Sequence, residues 1–159
     1  MPFTSCFFTF LDTLVYDISA PRQEITHQIF KGKYFKRFKE LGTLDIQSDY
    51  KSNHRFEFDI RRGDDRNVAA IDLELQSHTL KSTLQLDSKT VTNFKLGVLA
   101  RYQDHFANPE TGVRRLIPDY KKFDLGFHLI SNFKPTDKIF LDIGVRYDFN
   151  RINAKKFYQ

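Results

Sequence analysis

The sequence lacks any apolar run of about 18 residues, the length that a membrane-spanning helix needs, so no such helix is predicted. It has a single cysteine, Cys6, which excludes an internal disulfide framework and a zinc site built from cysteines. Seven glycines and five prolines in 159 residues are too few for a disordered or low-complexity chain. The chain is therefore predicted to be one ordered unit that no disulfide or zinc ion holds together.

Catalytic and metal-binding motifs are also absent from the sequence. No two histidines stand at i, i+2 or i, i+4, and there is no Gly-x-Ser-x-Gly or phosphate-binding glycine-rich loop. The histidines are His27, His54, His78, His105 and His128. The acidic pair Asp64–Asp65 is surrounded by arginines, which indicates charge neutralisation in a loop rather than acid–base catalysis. We predict no enzyme activity, no metal and no cofactor.

The positive charge of the chain is spread rather than clustered. The net charge of +5 arises from 25 basic and 20 acidic residues, and no basic run reaches five residues. This distribution is typical of solvated strand faces and loops, so no nucleic-acid partner is predicted.

The chain is rich in aromatic residues and in stretches where polar and apolar residues alternate. Aromatic residues make up 15% of the sequence, including 17 phenylalanines, and this composition favours strands. Polar and apolar residues alternate in 43–60, from 71 and from 94 onwards, and in the hairpin 121–150, whereas the alternation in 24–38 is blurred. Because successive side chains of a strand point to opposite faces, period two predicts long strands with one apolar and one polar face.

Two positions interrupt this alternation. The apolar parity changes near His78–Thr79, where we predict a β-bulge that restores the faces, and Leu99 falls among the polar positions. With that bulge, the polar face is predicted to carry Asp72, Glu74, Lys95, Arg101, Asp124, Asp142, Arg146 and Asp148.

The connections between the predicted strands alternate in length. Those at 39–42, 87–92 and 134–138 are short, whereas those at 61–70 and 105–120 are long and charged. In an antiparallel meander, alternate connections lie at the same end of the sheet. Short turns at one end and long loops at the other are typical of outer-membrane β-barrels, whose strands are also long.

The strand count limits this interpretation. About six to seven long strands are predicted, whereas a single-chain bacterial barrel has at least about eight. An open sheet edge is not tolerated in lipid. The fold is therefore predicted to be an all-β antiparallel meander that forms either a soluble sheet or an open, curved segment of a large transmembrane β-barrel.

Several segments resemble the barrel of TonB-dependent outer-membrane receptors. They are 56–63 (FEFDIRRG), 108–114 (NPETGVR), 116–120 (LIPDY) and 144–148 (GVRYD). The resemblance covers roughly 17–159 as a middle part of the barrel domain, and 1–16 is a poorly defined N-terminal segment. It implies a non-enzymatic receptor for iron–siderophore complexes or similar ligands in the cell outer membrane.

The same resemblance implies which parts of such a receptor this sequence does not contain. The plug domain, the TonB box and a signal peptide have no counterpart here. We therefore expect a truncated gene product, a split gene product or an excerpt that is not functional alone and that is exported only with the missing N-terminal part. Its expected partners are outer-membrane lipid and the rest of the barrel and plug, with the TonB complex reached only through the missing segments.

Three sets of residues are predicted to act in such a receptor. The loop residues Arg61, Arg62, Arg66, Arg114, Arg115 and Tyr120 are predicted to attract an anionic ligand, or else to pair with neighbouring acids. The residues predicted to face lipid are Phe123, Leu125, Phe127, Leu129, Ile139, Leu141, Ile143 and Val145. Tyr50, Tyr102, Tyr120 and Tyr147 are predicted to lie at the membrane interface. The alternative is a soluble β-barrel that binds a small apolar ligand, with its phenylalanines turned inward.

Overall fold

A computed structural model describes residues 6–10, 14–15, 21–39, 41–59, 67–86, 92–136 and 138–155, and of 6–10 and 14–15 only the backbone. The strands are β1 (Cys6–Phe10), β2 (Leu14–Val15), β3 (Arg22–Phe38), β4 (Gly42–Phe58), β5 (Ile71–Leu86), β6 (Thr92–Ala107), β7 (Tyr120–Thr136) and β8 (Ile139–Ala154). Residues Pro109–Thr111 form one turn of 3₁₀ helix.

All eight strands belong to one antiparallel sheet, in which β3 to β8 follow chain order. The short strands β1 and β2 pair with β3 at one edge, and β8 forms the other edge. The sheet is not closed on itself among the described strands. This confirms the predicted all-β antiparallel meander of six to seven long strands in an open sheet. Within the described ranges, no helix has the length and apolar character needed to cross a membrane.

The observed strand bounds differ slightly from the predicted ones. β6 continues to Ala107 and β7 begins at Tyr120, so the irregular segment is 108–119 rather than 105–120. β7 also continues through Pro135 to Thr136, after a register irregularity that follows Phe133. Proline cannot donate to a strand ladder, so it is tolerated here at the strand end. Gly42, predicted to allow a positive φ at the first turn, has a φ of 125°.

The ends of the strands are staggered across the sheet. The residues opposite Phe38 are, in order, Gly42, Leu86, Phe94 and Ser131. β7 continues five residues past Ser131, to Thr136. At the other end, Ala154 of β8 lies in register with His27 of β3, and β3 begins five residues earlier, at Arg22. The sheet is therefore a parallelogram that shifts by about one residue per strand, a slope of about 35° for strands that rise about 3.4 Å per residue and lie about 4.8 Å apart.

Register places most apolar side chains on one face of the sheet. We call this the apolar face: the even-numbered residues of β3 to β6 and the odd-numbered residues of β7 and β8. The remaining residues form the polar face. The end with the connections at 59–70 and 108–119 is called the loop end, and the opposite end is the turn end.

On β6 and β7 the apolar face is more exposed than the polar face. A protein with a hydrophobic core shows the reverse. On the apolar face, Phe127 is 46% exposed, Leu129 41% and Val98 38%. On the polar face of the same strands, Gly97 and Gly126 are buried and most neighbouring side chains are half-buried. Among the described apolar residues only Phe58 and Ala107 are buried, so the described sheet has no apolar core.

The accessible surface agrees with this absence of a core. The chain of 18.8 kDa exposes 12554 Å². A compact soluble protein of that mass exposes about 8300 Å². The excess is about half as much again, as expected of an open single-layer sheet whose two faces are both uncovered.

The predicted β-bulge near His78–Thr79 is wrong. β5 pairs with β4 and with β6 in one unbroken register. No extra residue in the strand therefore compensates for the change of parity. Ile71 and Leu73 lie on the polar face, and Asp72 and Glu74 lie on the apolar face near the loop end, where they were not expected.

Candidate functional site

The apolar face has a sharp boundary toward the loop end. Across β3 to β7, five aromatic or imidazole side chains lie in direct register and form a row. The next residues of the same face toward the loop end form a second row, in which every side chain is polar. The ring row is Phe30, Tyr50, His78, Tyr102 and Phe123, and the polar row is Gln28, Ser52, Gln76, Asp104 and Lys121. The centroids of the Tyr50 and His78 rings are 4.7 Å apart. This boundary ends the apolar band, and beyond it the face carries polar residues together with Phe56, Phe58 and Phe106.

The residues predicted to face lipid all lie on the apolar face, on the turn side of the polar row. Seven of them are exposed and Leu125 is half-buried. Of the four tyrosines predicted at an interface, Tyr50 and Tyr102 belong to the ring row, whereas Tyr147 lies within the apolar band. Tyr120 lies on the polar face, where its ring stacks on His105 with centroids 4.8 Å apart.

Charges of both signs pair across strands on the polar face. Arg101 Nη2 of β6 lies 2.8 Å from Asp124 Oδ2 of β7, and Lys122 Nζ lies 3.2 Å from the other oxygen of that carboxylate. Lys33 of β3 and Asp45 of β4 pair at 2.8 Å. Each such pair contributes about 0.2–1 kcal/mol. Predicted polar-face residues that do lie there are Lys95, Arg101, Asp124, Asp142, Arg146 and Asp148.

The connection 108–119 is fixed at its base by two carboxylates. Asp72 accepts a hydrogen bond of 2.8 Å from Asn108 Nδ2 and lies 2.7 Å from His54 Nε2. Asp119 accepts a hydrogen bond of 2.9 Å from the Ala107 N–H at the opposite end of the connection. The guanidinium of Arg115 donates to the Ala107 carbonyl at 3.0 Å. The connection is thus a structured loop with a closed base.

The first turn of the loop needs a glycine. The Asn108 side chain accepts from the Glu110 N–H at 2.9 Å and caps the 3₁₀ turn, and Gly112 ends it with a φ of 69°. Only glycine adopts this left-handed conformation without a steric penalty. The segments that resemble the receptor family therefore contain the residues that shape this loop.

The arginines predicted as a ligand-binding cluster have different surroundings. Arg61, Arg62 and Arg66 lie outside the described residues. Arg115 is half-buried and belongs to the loop base, where it also approaches Asp119 at 3.7 Å. Arg114 is exposed. Arg115 and Tyr120 therefore have structural contacts, and Arg114 remains the described arginine of the set that is open to a ligand.

A pocket of about 480 Å³ lies between the loop and the polar face at the loop end. Its wall on the sheet includes Ile71 and Leu73, and its wall on the loop includes Val113, Leu116 and Ile117. Arginine side chains also line it. Ile71 and Leu73, two of the three odd-numbered apolar residues of the first half of β5, thus form an apolar floor beneath the loop.

Sequence reasoning missed Asp72, Asn108 and Asp119 as the residues that hold the loop. The signal for the pocket was the change of parity in β5, which leaves Ile71, Leu73 and Leu75 out of phase with the rest of the strand; the first two line the pocket. A β-bulge and a local apolar floor both produce a change of parity in the sequence. The change of parity alone therefore did not distinguish the two structures.

We expect Asp119→Ala to speed tryptic cleavage after Arg114 or Arg115 by about tenfold. The substitution leaves the Ala107 N–H and the Arg115 guanidinium without their carboxylate, which costs about 1–3 kcal/mol when the groups are shielded. Each 1.4 kcal/mol corresponds to a tenfold change in the open population. The measurement is the initial cleavage rate of the full chain in detergent, followed by mass spectrometry.

Glu110→Ala is the matched control for the loop. Glu110 is exposed in the same loop, and its described hydrogen bond uses its backbone N–H rather than its carboxylate. Its removal should leave the cleavage rate within about twofold of the original chain. Equal acceleration by both substitutions would show that the loop base is not what protects the arginines.

The described residues contain no group of three or more histidine, cysteine, aspartate or glutamate side chains that could hold a metal ion. No family model, no curated protein and no solved structure matches the chain.

Proposed function

We propose that this chain is a section of the wall of an outer-membrane transport barrel, with its apolar face toward lipid. The observation that carries the proposal is that the apolar side chains of this face are exposed or half-buried, except Phe58 near the loop end, and that a ring row and then a polar row bound them. Aromatic side chains are enriched where a membrane meets water, and an outward apolar band is the feature that lipid requires of a barrel.

The dimensions of the band support the proposal. On β7 the band runs from Phe123 to Phe133, ten residues along the strand. At about 3.4 Å per residue and a tilt of about 35°, it spans about 28 Å. The apolar band of outer-membrane barrels is about 25 Å tall. The stagger of about one residue per strand supplies the tilt that closing a barrel requires.

The polar face supports the same placement. A large barrel has a polar interior, and the paired charges of this face suit a water-filled or plugged lumen. The longer connections then lie outside the cell and the short turns in the periplasm. The loop at 108–119 contacts the polar face, so it lies inside the mouth of the barrel rather than over the membrane.

The more specific assignment is a TonB-dependent receptor for iron–siderophore complexes or similar ligands. Its support is the resemblance of the four segments, two of which build the loop at 108–119. In this assignment the chain is a non-enzymatic part of a receptor that works only with the rest of the barrel and the plug. The energising TonB complex is then a partner of the whole receptor.

The alternative, a soluble β-barrel with an apolar interior, requires the phenylalanine-rich face to be enclosed. In the described sheet the phenylalanines of the apolar band are exposed or half-buried, and ion pairs such as Arg101–Asp124 lie on the opposite face. A chain that purifies without detergent as a compact monomer would favour this alternative over the membrane barrel.

Tryptophan fluorescence tests the lipid-facing placement, because the native chain has no tryptophan. Leu129→Trp places a single reporter on the apolar face, and Ile130→Trp places one on the polar face of the same strand. In micelles of a brominated detergent we expect strong quenching of the reporter at 129 and weak quenching of the one at 130, since bromine quenches on contact.

Acrylamide, a water-soluble quencher, should give the reverse order. Both reporters replace aliphatic residues of neighbouring positions, so they differ mainly in the face they occupy. Equal quenching by the brominated detergent at the two positions would remove the support for a lipid-facing surface.

A further inference from the structure

The pocket under the loop has apolar side chains on both of its walls. Its floor on β5 consists of Ile71 and Leu73, two residues that depart from the alternation of the strand. Its cover consists of Val113, Leu116 and Ile117, of which Leu116 is 85% exposed. Apolar side chains on both sides of an open space favour an apolar guest, since burial of such surface releases about 25 cal/mol per Å².

Three cations line this pocket, and two of them already have partners. Arg55 pairs with Glu57 on the same strand. Arg115 donates to the Ala107 carbonyl and approaches Asp119. Arg114 is exposed, and no described residue forms an ion pair with it. A guanidinium in this position presents a planar set of donors that suits a carboxylate.

We propose that this pocket binds a small amphipathic acid, with its apolar body between β5 and the loop and its single carboxylate on Arg114. The volume of about 480 Å³ lies within the range of about 300–1,000 Å³ that small-molecule sites occupy. One available cation matches one negative charge. The inference goes beyond the barrel proposal, because it depends on the loop and the polar face and not on what covers the apolar face.

Photolabelling with 4-benzoylbenzoate tests this site in the full chain, kept in detergent micelles. The probe has an apolar body, one carboxylate and a photoreactive ketone. We expect saturable cross-links within 71–73 and 113–117, mapped by mass spectrometry. Arg114→Leu should lower the labelling of these peptides about tenfold at sub-saturating probe, because a charge-assisted hydrogen bond is lost. Arg114→Lys should keep most of it.

Two controls separate the site from general partitioning into the micelle. Arg151→Leu removes an exposed cation from the apolar face and should leave the labelling unchanged. The methyl ester of the probe has the same apolar body without the charge and should label 71–73 and 113–117 about tenfold less. Leu73→Trp fills the pocket but keeps Arg114, and it should also reduce the labelling. The tryptic cleavage pattern of this variant shows whether its loop has kept its fold.

The proposal is overturned if Arg114→Leu labels like the original chain, or if the ester labels the same peptides equally well. It is also overturned if cross-links fall only on the apolar face. None of these outcomes bears on tryptophan quenching at 129 and 130, so a failure of the pocket and a failure of the lipid-facing placement are distinguished.

Discussion

Added alone to phosphatidylcholine vesicles, the chain is expected to stay extractable by alkaline carbonate and to show no protease-protected, folded core. In detergent micelles, the same chain is expected to show the far-ultraviolet circular dichroism of a β-sheet. The difference follows from the sheet edge at β8, where all sixteen residues are exposed and whose only partner among the described strands is β7.

The expected effect is large because lipid cannot form hydrogen bonds with the unpaired backbone groups of the sheet edge. In an antiparallel strand, alternate residues direct their N–H and C=O groups to opposite sides, so about eight residues of β8 present unpaired groups at the edge. Each such group costs several kcal/mol in hydrocarbon, which amounts to tens of kcal/mol for the edge. Water can reach the edge at a micelle surface, and there this cost is largely removed.

Extraction is measured by sedimentation of the vesicles, and folding by resistance of the bound chain to protease. A control barrel of at least eight strands, treated in the same way, should remain in the membrane pellet. If the chain alone resists both carbonate and protease as a monomer, its sheet closes on itself, and the proposal of a barrel section is wrong.

The long strands could be predicted from the sequence because alternation is a direct consequence of strand geometry. The hairpin of β7 and β8 shows this best: Phe123 to Phe133 and Leu141 to Phe149 keep one parity, and register puts them on one face. The strand ends were less certain, because polar residues such as Asp104 and Lys121 suit both a strand beyond the apolar band and a loop.

The pocket could not be predicted, since a side-chain pattern reports the face of a strand but not what covers that face. Ile71 and Leu73 are apolar because the loop at 108–119 lies against them, and that contact joins segments almost 40 residues apart. The charge of the arginines was evident from the sequence, but their partners were not. Arg115 is held by Ala107 and Asp119, whereas Arg114 has no described partner.

Val98→Arg is expected to destabilise the folded chain in detergent by about 2 kcal/mol, and the neighbouring Leu99→Arg by less than 1 kcal/mol. Val98 lies in the middle of the apolar band and Leu99 on the polar face, opposite Gly126. An arginine on the lipid side of a barrel costs about 2–4 kcal/mol at the bilayer midplane, and we expect the lower end in a micelle. The measurement is unfolding by guanidinium chloride, followed by circular dichroism.

The two substitutions form a matched pair, because both replace an exposed or half-buried aliphatic residue of β6 by the same side chain. The strand propensity of arginine and the conformational entropy of its side chain therefore contribute about equally to both variants. The difference between their free energies of unfolding reports the surroundings of each face. At position 99 the new guanidinium comes near the carboxylate of Asp148, which lies beside Gly126 and already pairs with Arg146. If Leu99→Arg were the more harmful of the two, the polar face would be the side that avoids water, as the soluble barrel requires.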